Sequence, residues 1–162
     1  MVTLADIQRA RQHLAGLAHH TPLLSSHTLS AMVGVPVFLK AENLQRTGSF
    51  KLRGAANRIA HLSRAERRQG VIAASAGNHA QGVALAAQRA GIPCTIVMPR
   101  HASIAKVAAT RGYGAQVVLA GDSYDEAQHH ARKLAEEKNL VLVHSFDDPY
   151  VIAGQGTLAL EV

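Results

Sequence analysis

Three short segments hold the residues with the greatest chemical potential. The first is Thr47-Gly48-Ser49-Phe50-Lys51-Leu52-Arg53-Gly54. An amine nucleophile must be uncharged, yet a lysine of ordinary pKa is neutral in only about one molecule in 2,500 at pH 7. A reactive lysine therefore needs burial or a neighbouring positive charge to disfavour its ammonium. Lys51 follows an aromatic residue and precedes Arg53 by two positions, within a glycine-bounded stretch that admits a flat anionic cofactor. A surface lysine at a helix start has the same spacing.

The second segment is Ser75-Ala76-Gly77-Asn78-His79-Ala80-Gln81-Gly82, directly after the apolar run 71–74. A loop of small residues there opens a helix, whose first backbone amides lack intrahelical partners and favour an anion. The carboxyl end of a parallel strand is also where open α/β sheets bind ligands. An ordinary capped turn fits the same residues. His79 has no partner at metal-ligand spacing and reads as part of the loop; no metal is expected.

The third runs from Asp147 to Thr157. Its adjacent carboxylates, Asp147 and Asp148, could serve as a metal site or an acid/base pair, but Pro149 behind them favours a helix cap. His19-His20 and His129-His130 are neighbours in sequence, face different directions and read as surface pairs.

The elements that must position these residues follow from periodicity and caps. Thr3 and Asp6 fit a capping box for a helix carrying Ile7, Ala10, Leu14 and Leu17 on one side. Thr21 to Leu24 is extended, a short helix near Leu29 stops at Gly34, and 35–39 reads as a strand. The polar stretch 42–54 leads to a helix from Ala55. Ser63 and Glu66 make a second capping box, and Gly70 ends its helix. Strands over 71–74, 94–98, 116–119 and 140–143 then alternate with helices over 79–89, 102–111 and 123–138. That alternation predicts an α/β fold with a parallel sheet covered on both faces.

Composition narrows the function classes. Of 162 residues 48% are hydrophobic, which suits a packed globular chain. The net charge of +6 comes from 17 basic and 11 acidic residues, but these are scattered. Arg64, Arg67 and Arg68 at helical spacing read as a solvated face without interleaved aromatics, so no nucleic-acid partner is expected. Cys94 is the lone cysteine, in an apolar run, and reads as a small buried residue. No stretch approaches the ~20 apolar residues of a membrane span, and the first dozen residues lack a signal-peptide pattern, so a cytoplasmic location is expected.

Taken together, residues 47–55, 75–82 and 151–157, in that order and at those intervals, resemble the threonine dehydratase (threonine ammonia-lyase) and serine racemase group of fold type II pyridoxal-phosphate enzymes. The resemblance covers essentially the whole chain. It implies residues 1–68 as the N-terminal part of a large cofactor-binding domain, 69–147 as a complete small α/β domain, and 148–162 as the return into an incomplete large domain. Lys51 would form the Schiff base with pyridoxal 5′-phosphate, and Phe50 would pack against its ring. Asn78 would hydrogen-bond the phenolic oxygen, while Ser75, Gly77, Asn78 and His79 hold the substrate carboxylate.

The reaction so implied is dehydration and deamination of L-threonine, and of L-serine, to a 2-oxo acid and ammonia, with Lys51 moving the α-proton. A place in amino-acid metabolism, specifically isoleucine biosynthesis, and a homo-oligomeric full-length enzyme come with the resemblance. Serine racemases carry a serine as second acid/base where this chain has Ala76, which points to dehydration instead. Cysteine synthases carry a threonine where this chain has His79. The family's phosphate-cradling glycine loop follows the helix at which this sequence stops, so the 162-residue chain is expected to be a truncated form, inactive alone. A non-catalytic α/β binding module is the other reading.

Overall fold

The computed structural model describes residues 1–162. The first capping box forms as expected: Asp6 accepts from the Thr3 amide at 2.8 Å and Thr3 accepts from the Asp6 amide, opening α1 (Leu4–His13). Ala10 and Leu14 are buried at its inner side. The chain continues extended into β1 (Leu23–Ser25), passes through α2 (His27–Val33), and returns as β2 (Phe38–Lys40), antiparallel to β1 with Leu24 opposite Leu39. Gly34 stops α2 at φ 76°, where glycine is least strained. The second strand begins later than the sequence suggests. Pro36 has no amide to donate and the Val37 amide goes to Ser30 Oγ at 2.8 Å, so the ladder starts at Phe38.

A single 3₁₀ turn over Glu42–Leu44 precedes α3 (Lys51–Ala60). This helix starts four residues before the expected Ala55. Its N-cap, Phe50, offers no side-chain acceptor, and Gly54 inside the helix mimics a break. The reason for Gly54 is tertiary: it faces Gly154 of α8 (Pro149–Gly156). A Cβ on Gly154 would lie 2.5 Å from the Arg53 carbonyl oxygen and 2.7 Å from Gly54 Cα, so the two glycines let the helices touch backbone to backbone.

The Ser63–Glu66 box opens α4 (Arg64–Gln69) and Gly70 closes it. The arginine trio is not one solvated face. Arg64 and Arg68 are exposed, whereas the Arg67 guanidinium turns inward and donates to the Ile59, Ala60 and Leu62 carbonyls at the end of α3. It satisfies acceptors that the helix leaves open.

From here strands and helices alternate: β3 (Val71–Ala74), α5 (Asn78–Ala90), β4 (Cys94–Met98), α6 (Ile104–Gly112), β5 (Gln116–Leu119), α7 (Tyr124–Lys138) and β6 (Val141–Leu142). The four strands form one parallel sheet in the order β5-β4-β3-β6. Val71, Ala73, Ile96 and Met98 pack with α3 and α5 on one face. Ile72, Ala74 and Val97 pack on the other against Ala127, Ala131 and Ala135, which recur every fourth residue on one side of α7. Cys94 is buried as expected, and burial pushes its thiol up to about 12, leaving it unreactive. No helix is long and apolar enough to cross a membrane. Asp148 caps α8, accepting from the Tyr150 and Val151 amides at 2.8 and 3.0 Å with Pro149 at the first helical position. The carboxylate pair is therefore a cap on the Asp148 side, which also pairs with Arg58 of α3 at 3.1 Å.

Candidate active site

Lys51 is the first residue of α3 and is half-buried. Its Nζ donates to the Ser145 carbonyl at 2.9 Å and sits 5.4 Å from the centroid of the Phe50 ring. Burial alone holds its amine below the ordinary lysine range. The sequence offered a second cause, the charge of Arg53, and the structure corrects it. Arg53 is 1% exposed on the opposite side of α3, where it pairs with Glu42 at 2.8 Å and Glu161 at 2.7 Å. Glu161 also pairs with Lys40, and Thr21 donates to Glu42 at 2.7 Å. Two carboxylates absorb the guanidinium charge, so Lys51 does not feel it.

Close packing of α3 on α5 brings Lys51 to the second segment. Gly82 of α5 lies against the helix start, and a Cβ there would be 3.1 Å from the Lys51 carbonyl carbon and the Leu52 nitrogen. Any side chain at 82 would press the start of α3 off α5. That loop leaves β3 with the Ser75 amide still bonded to Val97. Ser75 Oγ then accepts from the Gly77 amide at 3.1 Å, which tightens the turn. Gly77 is the N-cap of α5 and supplies no side-chain cap, so the first-turn amides of Asn78 and His79 keep their donors unengaged by side chains. A Cβ on Gly77 would meet nothing within 4 Å; the loop backbone faces open space. Asn78 is exposed at this mouth.

His79 divides its two halves. Its amide belongs to the mouth of α5, while its ring is buried at 4% exposure. Nε2 lies 3.0 Å from the Val143 carbonyl, which can only accept, so Nε2 carries the proton and Nδ1 is bare. Nδ1 is buried without a partner. Burial pushes the ring down to about 4, against the Val143 hydrogen bond and with help from Lys51 and His144, so the imidazole is neutral across the physiological range.

The sequence reading missed the segment after β6. Val143 receives His79 and Ser145 receives Lys51, through carbonyls two residues apart where the chain leaves β6 and bends. Both contacts are made by backbone atoms, and Ser145 lies 94 residues from Lys51. Nothing in residue type or spacing signals such a contact.

The arrangement fits a flat, anionic cofactor that binds covalently to an amine. The chain supplies a desolvated lysine, a ring beside it that is 41% exposed, and helix amides without a side-chain cap. Larger cavities of about 460 Å³ lie elsewhere, one lined by Ser26, Ser30 and Val37 and another by Arg9, His61 and Tyr150.

A family model described as pyridoxal-phosphate dependent enzyme matches residues 14–162. Over its full length the chain is 57% identical to an L-threonine ammonia-lyase of Thermotoga maritima, covering 40% of that protein. Among solved structures, the processed form of threonine deaminase isoform 2 from Solanum lycopersicum superposes with a TM-score of 0.91 at 48% identity, over 98% of this chain and 43% of that one. Maize serine racemase superposes with a TM-score of 0.93 at 39% identity, over 99% and 49% respectively. The chain thus spans less than half the length of each of these relatives.

Proposed function

Because the chain belongs to the pyridoxal-phosphate dependent enzymes, within the fold type II group related to threonine dehydratase and serine racemase, we propose that the whole protein dehydrates and deaminates L-threonine, and L-serine, to a 2-oxo acid and ammonia. The observation that carries this reading is the half-buried Lys51 amine at the start of α3, held below its ordinary pKa by burial on a helix start that lies against Gly82 of α5. Support for the substrate comes from the 57% identical ammonia-lyase.

In this reading Lys51 is the attachment point of pyridoxal 5′-phosphate. Phe50 would pack against the cofactor ring, and the Asn78 side chain would donate to its phenolic oxygen. When bound, the cofactor acts as the electron sink that stabilises negative charge at the substrate's α-carbon. The protein's own share is positional and acid–base. The loop of Ser75, Gly77, Asn78 and His79 holds the substrate carboxylate at the positive end of α5, through the Ser75 hydroxyl and the Asn78 and His79 amides rather than the buried His79 ring. Lys51, once free, takes the α-proton on Nζ; a lowered pKa keeps a larger fraction of that amine uncharged. We assign residues 1–68 and 148–162 to the large domain and 69–147 to the small one.

Ala76 separates dehydration from racemisation. A methyl group cannot pass a proton to the other face of the α-carbon, so L-serine is expected to give pyruvate and ammonia with no measurable D-serine. Chiral analysis of the products from L-serine, beside 2-oxobutanoate release from L-threonine, tests both parts. D-serine in amounts comparable to pyruvate contradicts the reading, as does an absence of 2-oxo acid from either substrate.

A further inference from the structure

The carbonyl that receives Lys51 belongs to a turn organised by a neighbouring ring. His144 Nδ1 accepts from the Asp147 amide at 2.8 Å and from the Phe146 amide at 3.3 Å, and the ring packs edge-on against Phe146 at 4.6 Å. Both partners are donors, so Nδ1 must be bare. A proton there would set an N–H against two others and add a charge close to the Lys51 ammonium. Ser145 lies inside this turn, so the direction of its carbonyl depends on it.

We propose that His144 is a positioning residue for Lys51: its Nδ1 acceptor fixes the turn that presents the Ser145 carbonyl to Nζ. The inference takes Lys51 as the reactive amine of the proposed function, yet it concerns this chain's own contacts and can be tested without cofactor or substrate.

The groups around the ring are few. Lys51 reaches the turn from α3, and His79 approaches from α5 and couples electrostatically to both Lys51 and His144. Tyr124 and Gln128 of α7 line the same small pocket as His144 and Ser145. Asp147 enters through its amide, and Asp148 is committed to the cap of α8.

The test is competitive acylation of the protein without cofactor at about pH 8, with the label on Lys51 quantified by peptide mass spectrometry. Asparagine places an acceptor oxygen near the position of Nδ1; leucine removes the acceptor. His144→Asn should label as wild type does, whereas His144→Leu should differ about threefold or more, a shift of roughly half a pKa unit in the amine. The proposal is overturned if asparagine and leucine behave alike, or if the leucine variant labels as wild type does. Should the leucine variant fail to fold, His144→Ala, which also removes the acceptor, decides in its place by the same two comparisons. A failure here would leave cofactor attachment at Lys51 untouched, and the converse also holds.

Discussion

Lys51→Ala is expected to lower turnover of L-threonine by the whole protein by at least ~10³-fold while the fold persists. Two functions are lost with one side chain. A positioned base alone contributes roughly 10² to 10⁴ in rate, and the covalent attachment of the cofactor goes with it. The structural cost is small by comparison. The side chain is half-buried at the first position of α3 and gives up a single hydrogen bond to Ser145, worth about 1 to 2 kcal/mol. Alanine is also the residue best suited to a helix. Release of 2-oxobutanoate, read beside the far-ultraviolet circular dichroism of the variant, checks both halves. Retention of more than a few per cent of the rate in a folded variant contradicts the role given to Lys51.

The second large effect falls on stability. Arg53→Met should destabilise the protein by about 3 kcal/mol, because it takes the shared guanidinium from two carboxylates that are almost out of water and leaves each with one partner, Thr21 or Lys40. Glu42 and Glu161 are 9% and 12% exposed at their side chains, and Arg53 bonds to both. Burial on its own pushes the Glu42 carboxyl up. The hydrogen bonds from Arg53 and Thr21, with the charge of Arg53, outweigh burial and hold it below the usual range. Glu161 is held down in the same way by Arg53 and Lys40.

A depressed carboxyl in the folded state contributes stability that is present above the unfolded value of ~4.3 and lost as pH falls through the folded one. Without Arg53 the burial that raises each carboxyl is opposed only by Thr21 at Glu42 and by Lys40 at Glu161, so this contribution shrinks. The variant should therefore lose most stability near pH 7, and its deficit should shrink towards pH 4. Urea unfolding at pH 7 and pH 4 measures the difference. An equal deficit at both values would mean that Arg53 acts through packing instead of charge.

The same network shows where reading the sequence stops. Helix starts with a local signal were legible: Thr3 with Asp6, Ser63 with Glu66, and Asp148 before Pro149 all cap the helices they precede. The strands of the parallel sheet were legible because their apolar runs are short and bounded by turns. The start of α3 was not, since Phe50 carries no capping group and Gly54 owes its place to Gly154, a hundred residues away. The antiparallel pairing of Leu23–Ser25 with Phe38–Lys40 was missed for a related reason, as pairing across α2 leaves no mark in either strand.

For the candidate site, the segments around Lys51 and Ser75 to His79 announce themselves through residue type and glycine spacing. The neutralisation of Arg53 by Glu42 and Glu161 and the grip of Ser145 on Lys51 do not. Charge pairing and carbonyl contacts across the fold depend on tertiary distance, which single residues do not encode. His79 makes the point in one side chain, since its place in the loop was readable and the burial of its ring was not.

The most direct measurement is reduction with borohydride after incubation of the whole protein with pyridoxal 5′-phosphate, followed by peptide mass spectrometry. The account predicts one phosphopyridoxyl group per chain, on the peptide carrying Lys51, and none at that peptide in Lys51→Ala. A label on another lysine, or an unmodified Lys51 at saturating cofactor, would contradict it.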